Sequence, residues 1–194
     1  MCSSDLIPIM KNLTLDYNKV TSIAIAGNSG SGKSYALTYF MTMLKNISDL
    51  IIVDPKFDTP SRWARENGFP VLHPQRNRSK SDFVSEINEN LSSCLNLIQE
   101  RQESLYDNPD KEFKHLTIVI DEVLALSEGV NKTIKESFFS LLSQIALLGR
   151  STSVHTILVS QRLDHTAIPV SVREQLNVLI QIGNINLTDR KSVV

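Results

Sequence analysis

Eight consecutive residues, Gly27-Asn28-Ser29-Gly30-Ser31-Gly32-Lys33-Ser34, carry the most specific chemistry in this sequence. They match G-x-x-x-x-G-K-[ST], in which the glycines let the backbone curl until successive N–H groups point inward and cradle a polyphosphate. Lys33 is spaced to reach the β- and γ-phosphates. Ser34 offers a hydroxyl to Mg²⁺, which takes a few hard oxygen ligands and keeps several waters. A helix opening at this point adds the partial positive charge of its N-terminus. Gly27, Asn28, Ser29, Gly30, Ser31, Gly32, Lys33, Ser34 and the adjoining Tyr35 are therefore the candidate nucleotide-binding residues, with ATP and Mg²⁺ as the implied cofactors. A fortuitous Gly/Ser-rich turn is disfavoured by the strand pattern before the motif and the helix pattern after it.

A second constellation lies at Asp121-Glu122, after the apolar run His115-Leu116-Thr117-Ile118-Val119-Ile120. Asp121 is placed to hold Mg²⁺ through its waters, and Glu122 to polarise an attacking water as general base. The competing reading is a pair of acids favoured at a helix start. A second acid right after the metal acid favours hydrolysis over transfer to an acceptor hydroxyl, which sets a small-molecule kinase behind a hydrolase. Gln161 ends another apolar run and is a candidate γ-phosphate sensor. Arg150, Arg162 and Arg173 are candidate arginine fingers, although most arginines are ordinary surface residues. Lys33, Glu122, Gln161 and Arg150 make up the candidate catalytic set.

Other signals are weaker. His73, His115, His155 and His165 show no metal-ligand spacing and read as structural histidines. Trp63, near Arg62 and Arg65, reads as a half-buried helix anchor before a base-stacking platform. The basic run 76–80 reads as a solvated loop. Cys2 and Cys94 make neither a disulfide framework nor a zinc spacing.

These groups need a scaffold that gathers them, and the hydrophobic pattern supplies one. Short β-rich runs at 20–26, 50–53, 115–120, 156–160 and 178–182 alternate with helical periodicity at 34–44, 82–105 and 133–148. The polar stretch 58–80 reads as a short helix plus loop. Nearly unbroken apolar strands are those of a parallel sheet buried on both faces. The pattern therefore predicts a three-layer α/β fold, with ligands at the carboxyl ends of the strands, where each polar cluster falls. Residues 1–19 read as a lead-in and 20–194 as one domain, expected to be truncated soon after the fifth strand.

The 194 residues are 41% hydrophobic and 21% charged, the composition of a folded globular domain and not of a disordered tail. The formal net charge of -1 supplies no bulk field toward nucleic acid or anionic lipid, so a nucleic-acid partner would be held by local loops. No apolar run approaches the roughly 20 residues needed to cross a bilayer. The start shows no secretory pattern, so a cytoplasmic setting is expected.

Taken in order, GNSGSGKS at 27–34, IIVDPK at 51–56, IVIDE at 118–122, LLGRS at 147–151 and VSQR at 159–162 resemble the motor domain of the FtsK/SpoIIIE family, in the HerA-FtsK superfamily. The resemblance runs from about Val20 over nearly the whole chain. It implies a RecA-like P-loop ATPase core with a mainly parallel central sheet, which assembles as a hexameric ring and uses ATP hydrolysis to move double-stranded DNA. Related members serve conjugation or type VII protein secretion, which stays open as an alternative beside a nucleotide-gated binding module. Lys33 and Ser34 match the phosphate and magnesium residues, Asp121 and Glu122 the Walker-B pair, Gln161 the sensor, Arg150 the arginine after the long helix, and Asp54 and Lys56 the DPK signature. Two departures bear on the substrate. Gln161-Arg162-Leu163-Asp164 stands where DNA-pumping members usually read QRP, a form closer to secretion ATPases, and Ser153-Val154-His155 lacks the usual glycine.

Overall fold

The computed structural model describes residues 5–163 and 167–183. A hairpin comes first, β1 (Leu6–Met10) paired antiparallel with β2 (Leu13–Asp16). The chain then alternates through β3 (Ser22–Ala26), α1 (Lys33–Leu44), β4 (Ser48–Val53), α2 (Thr59–Glu66), β5 (Val71–Leu72), α3 (Lys80–Asp107) and β6 (His115–Ile120). It continues through α4 (Val123–Ser127), α5 (Lys132–Leu148), β7 (Val154–Ser160), α6 (Val170–Arg173) and β8 (Val178–Gln181). The six strands β3 to β8 form one sheet in the order β5-β4-β6-β7-β3-β8, with every neighbouring pair parallel. The α/β class and parallel sheet expected from the sequence are both observed.

Side-chain alternation along the strands explains the three layers. Ile23 and Ile25 of β3, Val119 of β6 and Ile157 and Val159 of β7 pack with Leu37, Phe40, Met41 and Leu44 of α1 on one face. Ala24 and Ala26, Ile118 and Ile120, and Leu158 face the other way, against Ile87, Leu91 and Ile98 of α3 and Phe138, Leu142 and Ile145 of α5. Both faces are covered, so every central strand can be apolar throughout.

The helices start where local chemistry lets them. Ser79 and Asp82 form a reciprocal capping box ahead of α3, and Asn131 caps α5 through Thr133 N–H at 2.9 Å. The turn from α5 into β7 is tight. A Cβ on Gly149 would stand 2.2 Å from the Val154 carbonyl oxygen, so only glycine fits there.

The structure adds elements that the pattern left out. The stretch read as a lead-in contains the hairpin, whose Ile7 is buried together with Tyr17 in the α1-side core. β5 lies inside the stretch read as helix plus loop, and is held through Ile52 and Val53 opposite Val71 and Leu72. At the amino end of the sheet, the Thr117 hydroxyl bonds both Tyr17 Oη and Ser48 Oγ, each at 2.7 Å. His155 Nδ1 donates to the Val20 carbonyl at 2.6 Å, which leaves its Nε2 to accept from His115 Nδ1 at 2.8 Å. An imidazole that donates from one ring nitrogen and accepts at the other is neutral, so His155 carries no charge here. Burial pushes the His155 imidazole down to about 3.

Candidate functional site

Because all six strands are parallel, their carboxyl ends form one edge of the sheet. β3 delivers the glycine-rich loop there, β4 delivers Asp54, β6 delivers Asp121 and Glu122, and β7 delivers Gln161. β7 lies between β3 and β6, so Gln161 stands between the loop and the acid pair.

The loop takes its shape from its glycines. Gly30 and Gly32 have φ of 76° and 99°, in the left-handed region that side chains other than glycine's resist. Gly27 is required for a different reason. A Cβ there would meet the Ile182 carbonyl oxygen at 2.3 Å and Ser31 Oγ at 2.6 Å, so the loop can lie against the end of β8 only without a side chain. Lys33 Nζ donates to the carbonyls of Gly27 at 2.6 Å and Asn28 at 3.0 Å, holding its ammonium at the mouth of the loop. Ser31 Oγ is shielded from solvent and has no hydrogen-bond partner among the described residues. A curled backbone, an ammonium at its mouth and an unpaired hydroxyl within it fit a polyphosphate. Ser34 and Asp121 are hard oxygen donors of the kind Mg²⁺ takes. Tyr35 is 85% exposed in the first turn of α1, so its ring stands open to solvent.

The acids occupy a more confined place. Asp54, Asp121 and Glu122 are all buried, with Asp54 fully so. Burial pushes the Asp121 carboxyl up to about 6, the neighbouring Asp54 and Glu122 charges add to this, and Lys56 partly opposes them. A divalent cation there would reverse that balance. Glu122 takes the N-cap position of α4 but makes no side-chain capping bond. Its backbone sits in the left-handed region at φ 53°, a strained choice for a side chain of this size. Its Oε2 accepts from Lys56 Nζ at 2.9 Å and from Gln161 Nε2 at 3.3 Å.

Lys56 is therefore part of this cluster, a placement that its Asp-Pro-Lys motif did not reveal in the sequence. Asp54 explains how the lysine gets there. Its carboxylate accepts the N–H of Lys56 and of Asp58, each at 2.8 Å, and the hydroxyl of Ser61 at 2.5 Å.

The remaining candidates scatter. Arg150 lies in the 3₁₀ turn Gly149–Thr152 ahead of β7, at the amino edge of the sheet and across its width from the glycine-rich loop. Seven residues of β7 separate the two edges, roughly 20 Å of extended chain. Arg162 is exposed beside Gln161, and Arg173 is in α6 with its Nε shielded and unpartnered among the described residues. His115 and His155 belong to the core, His73 packs against the Phe57 ring, and His165 lies outside the described residues. Trp63 is half-buried and stacks on Phe69, and in the basic run Arg78 pairs with Glu86. Cys94 is buried, and burial pushes its thiol up to about 11.

No protein-family model matches the chain. Among curated proteins it is 22% identical over 192 residues to the Ftsk domain-containing protein YdcQ of Bacillus subtilis, covering 94% of this chain and 38% of that protein. It is 21% identical over 205 residues to the DNA translocase FtsK of Staphylococcus aureus, covering 94% of this chain and 25% of that one. Among solved structures, the pCW3 conjugation coupling protein TcpA, in its monomer form with ATPγS, superposes with a TM-score of 0.69 at 22% identity, over 99% of this chain and 60% of TcpA. The chain resembles the FtsK-type P-loop ATPase domains. The cytoplasmic domain of the type VII secretion ATPase EccC from Thermomonospora curvata shares the fold, with a TM-score of 0.66 at 22% identity over 94% of this chain and 23% of that one. The chain thus spans well under half the length of the curated relatives it matches. Among the described residues, no helix is long and apolar enough to cross a membrane.

Proposed function

We propose that this chain is a P-loop ATPase motor domain that couples Mg-ATP hydrolysis to movement of double-stranded DNA, working in the cytoplasm as one subunit of a ring, with a hexamer as the expected form. The observation that carries hydrolysis is the pairing of Asp121 with a second buried acid, Glu122, at the end of β6, with Gln161 at the end of the intervening β7 between them and the glycine-rich loop. DNA as the moved polymer is supported by the sequence similarity to an FtsK DNA translocase.

In this reading the N–H groups of residues 27–34 hold the phosphates and Lys33 exchanges its two carbonyl partners for phosphate oxygens. Ser34 and Asp121 hold Mg²⁺, which when bound neutralises charge on the phosphate oxygens. Glu122 accepts the proton of the attacking water, and Gln161, already bonded to Glu122, spans from the base toward the γ-phosphate. Arg150 cannot serve its own site from the far edge of the sheet, so it acts in a neighbouring subunit.

A second reading is a protein-secreting ATPase, favoured by the shared fold with EccC and by Arg162-Leu163-Asp164 after Gln161. Phosphate release at two protein concentrations, with and without linear double-stranded DNA, separates the two. A DNA motor turns over faster with both, and a rate that ignores DNA favours secretion. Glu122→Gln should lower kcat by about 10² to 10⁴ while ATP binding survives. Turnover that persists in that variant would remove the hydrolytic role of the acid pair.

A further inference from the structure

Lys56 has no part in the hydrolytic reading above, yet it makes the shortest contact to the carboxylate on which that reading depends. Its ammonium is the cation among three buried carboxylates, 2.9 Å from Glu122 Oε2 and close enough to Asp121 and Asp54 to feel both charges. We infer that Lys56 is a positioning residue for Glu122, and that Asp54 acts through it by fixing the loop from which it reaches the base.

An exposed lysine paired with an exposed acid contributes little and positions nothing. This pair is asymmetric. The Lys56 side chain is 51% exposed, whereas that of Glu122 is 7% exposed. The lysine can approach from solvent, but the carboxylate has little room to follow it out. Lys56 and Gln161 both donate to Oε2, so the two bonds fix the carboxylate plane from one oxygen, and Oε1 carries neither of them. A general base held this way presents one defined oxygen to water, and misplacement of such a group by about 1 Å can cost on the order of 10² in rate.

The loop is built to hold the lysine still. Asp54 is fully buried and binds the loop at Lys56 N–H, Asp58 N–H and Ser61 Oγ, which ties the end of β4 to the first turns of α2. Pro55 restricts the backbone just before the lysine. Phe57 just after it sits at φ 54°, a left-handed conformation that the surroundings must impose. The Arg65 guanidinium over the Phe57 ring at 5.4 Å and the His73 ring at 4.5 Å supply part of that constraint. A strained loop pinned by a buried carboxylate is more than a tether for a surface lysine needs.

This inference rests on the hydrolase reading, and its test separates the two. The full chain is compared with Lys56→Gln, Lys56→Arg, Glu122→Gln and the Lys56→Gln/Glu122→Gln double variant, by steady-state ATP turnover, ATPγS binding and nucleotide-free thermal unfolding. Lys56→Gln should lower kcat about 10- to 100-fold, with KM for ATP and the Kd of ATPγS within about threefold, and Lys56→Arg should recover kcat to within about fivefold. Without nucleotide, Lys56→Gln should lower Tm by about 3 °C when Glu122 is present and by less than about 1 °C when it is glutamine. A kcat within about twofold for Lys56→Gln, ATPγS binding lost together with kcat, or equal Tm losses in the two backgrounds would each overturn the inference. A chain that binds ATPγS and never turns over ATP would count against the hydrolase reading alone, and the unfolding cycle would then decide the pairing by itself.

Discussion

If Asp121 holds Mg²⁺ as proposed, it shows at the scale of one residue how readiness for a cation carries a cost in stability. Its carboxyl is pushed up to about 6 by burial and by the Asp54 and Glu122 charges. The ordinary value in an unfolded chain is near 3.9, so between about pH 4 and pH 6 the folded chain binds more protons than the unfolded one. Stability associated with this group is therefore present below about pH 4 and is lost as pH rises through about 6. Asp121→Asn removes the loss. The variant should unfold at higher temperature than the parent at pH 7.5, by an amount on the order of 2 kcal/mol, and the difference should vanish near pH 4. Scanning calorimetry across that range without nucleotide or Mg²⁺ tests it. A variant less stable than the parent at pH 7.5 would show that the carboxylate earns its place by bonds and not by its readiness for metal.

Strands β6 and β7 carry a counterweight at their other end. His155 is buried and neutral, held by the Val20 carbonyl and by His115, and its imidazole is driven down to about 3 by desolvation first. Below about pH 6.5 the unfolded chain takes up a proton that the folded chain refuses, so stability falls as pH falls and levels off only near 3. The slope has the opposite sign to that of Asp121 over the same window, and the two partly cancel in the parent. In the Asp121→Asn background that opposition is gone, and the His155 slope is joined only in the same direction by His115, whose imidazole burial also lowers. Tm there should fall as pH drops from 6.5 to 4.5, and adding His155→Gln should flatten that fall even while lowering Tm at pH 7.5. An unchanged slope would place the acid sensitivity elsewhere. None of this was visible in the sequence, where the two histidines stand 40 positions apart and gain their meaning from parallel pairing. The same limit explains the other omissions. The glycine-rich loop and the acid pair are contiguous, and each follows a strand long enough to show its period. The bond from Lys56 to Glu122 joins positions 66 apart, β5 has two residues and α4 five, and the buried Tyr17 hydroxyl finds its partner in Thr117, 100 positions on. Elements this short carry no periodicity, and contacts this distant carry no local signature.

At the scale of the whole molecule, the two edges of the sheet pose the question of how many chains make one active site. The glycine-rich loop, the acids and Gln161 share the carboxyl edge, while Arg150 sits in the turn ahead of β7 at the amino edge. Beside it Leu147 is 62% exposed at the end of α5, an apolar side chain that contact with a second copy would cover. A finger supplied by a neighbour is worth about three to five orders of magnitude in turnover, and the proposed ring turns this into a complementation experiment. On that proposal Glu122→Gln keeps the arginine but has no base, and Arg150→Ala keeps the base but has no finger. Each alone should be nearly inactive in ATP turnover. Mixed at equal, high concentration, some Arg150→Ala sites will face a Glu122→Gln neighbour that still carries its arginine, and turnover should rise well above the sum of the two. The gain should fade on dilution, because association of subunits follows mass action. An arginine that works within its own chain would give only the sum at every concentration, and roughly 20 Å of β7 stands against that.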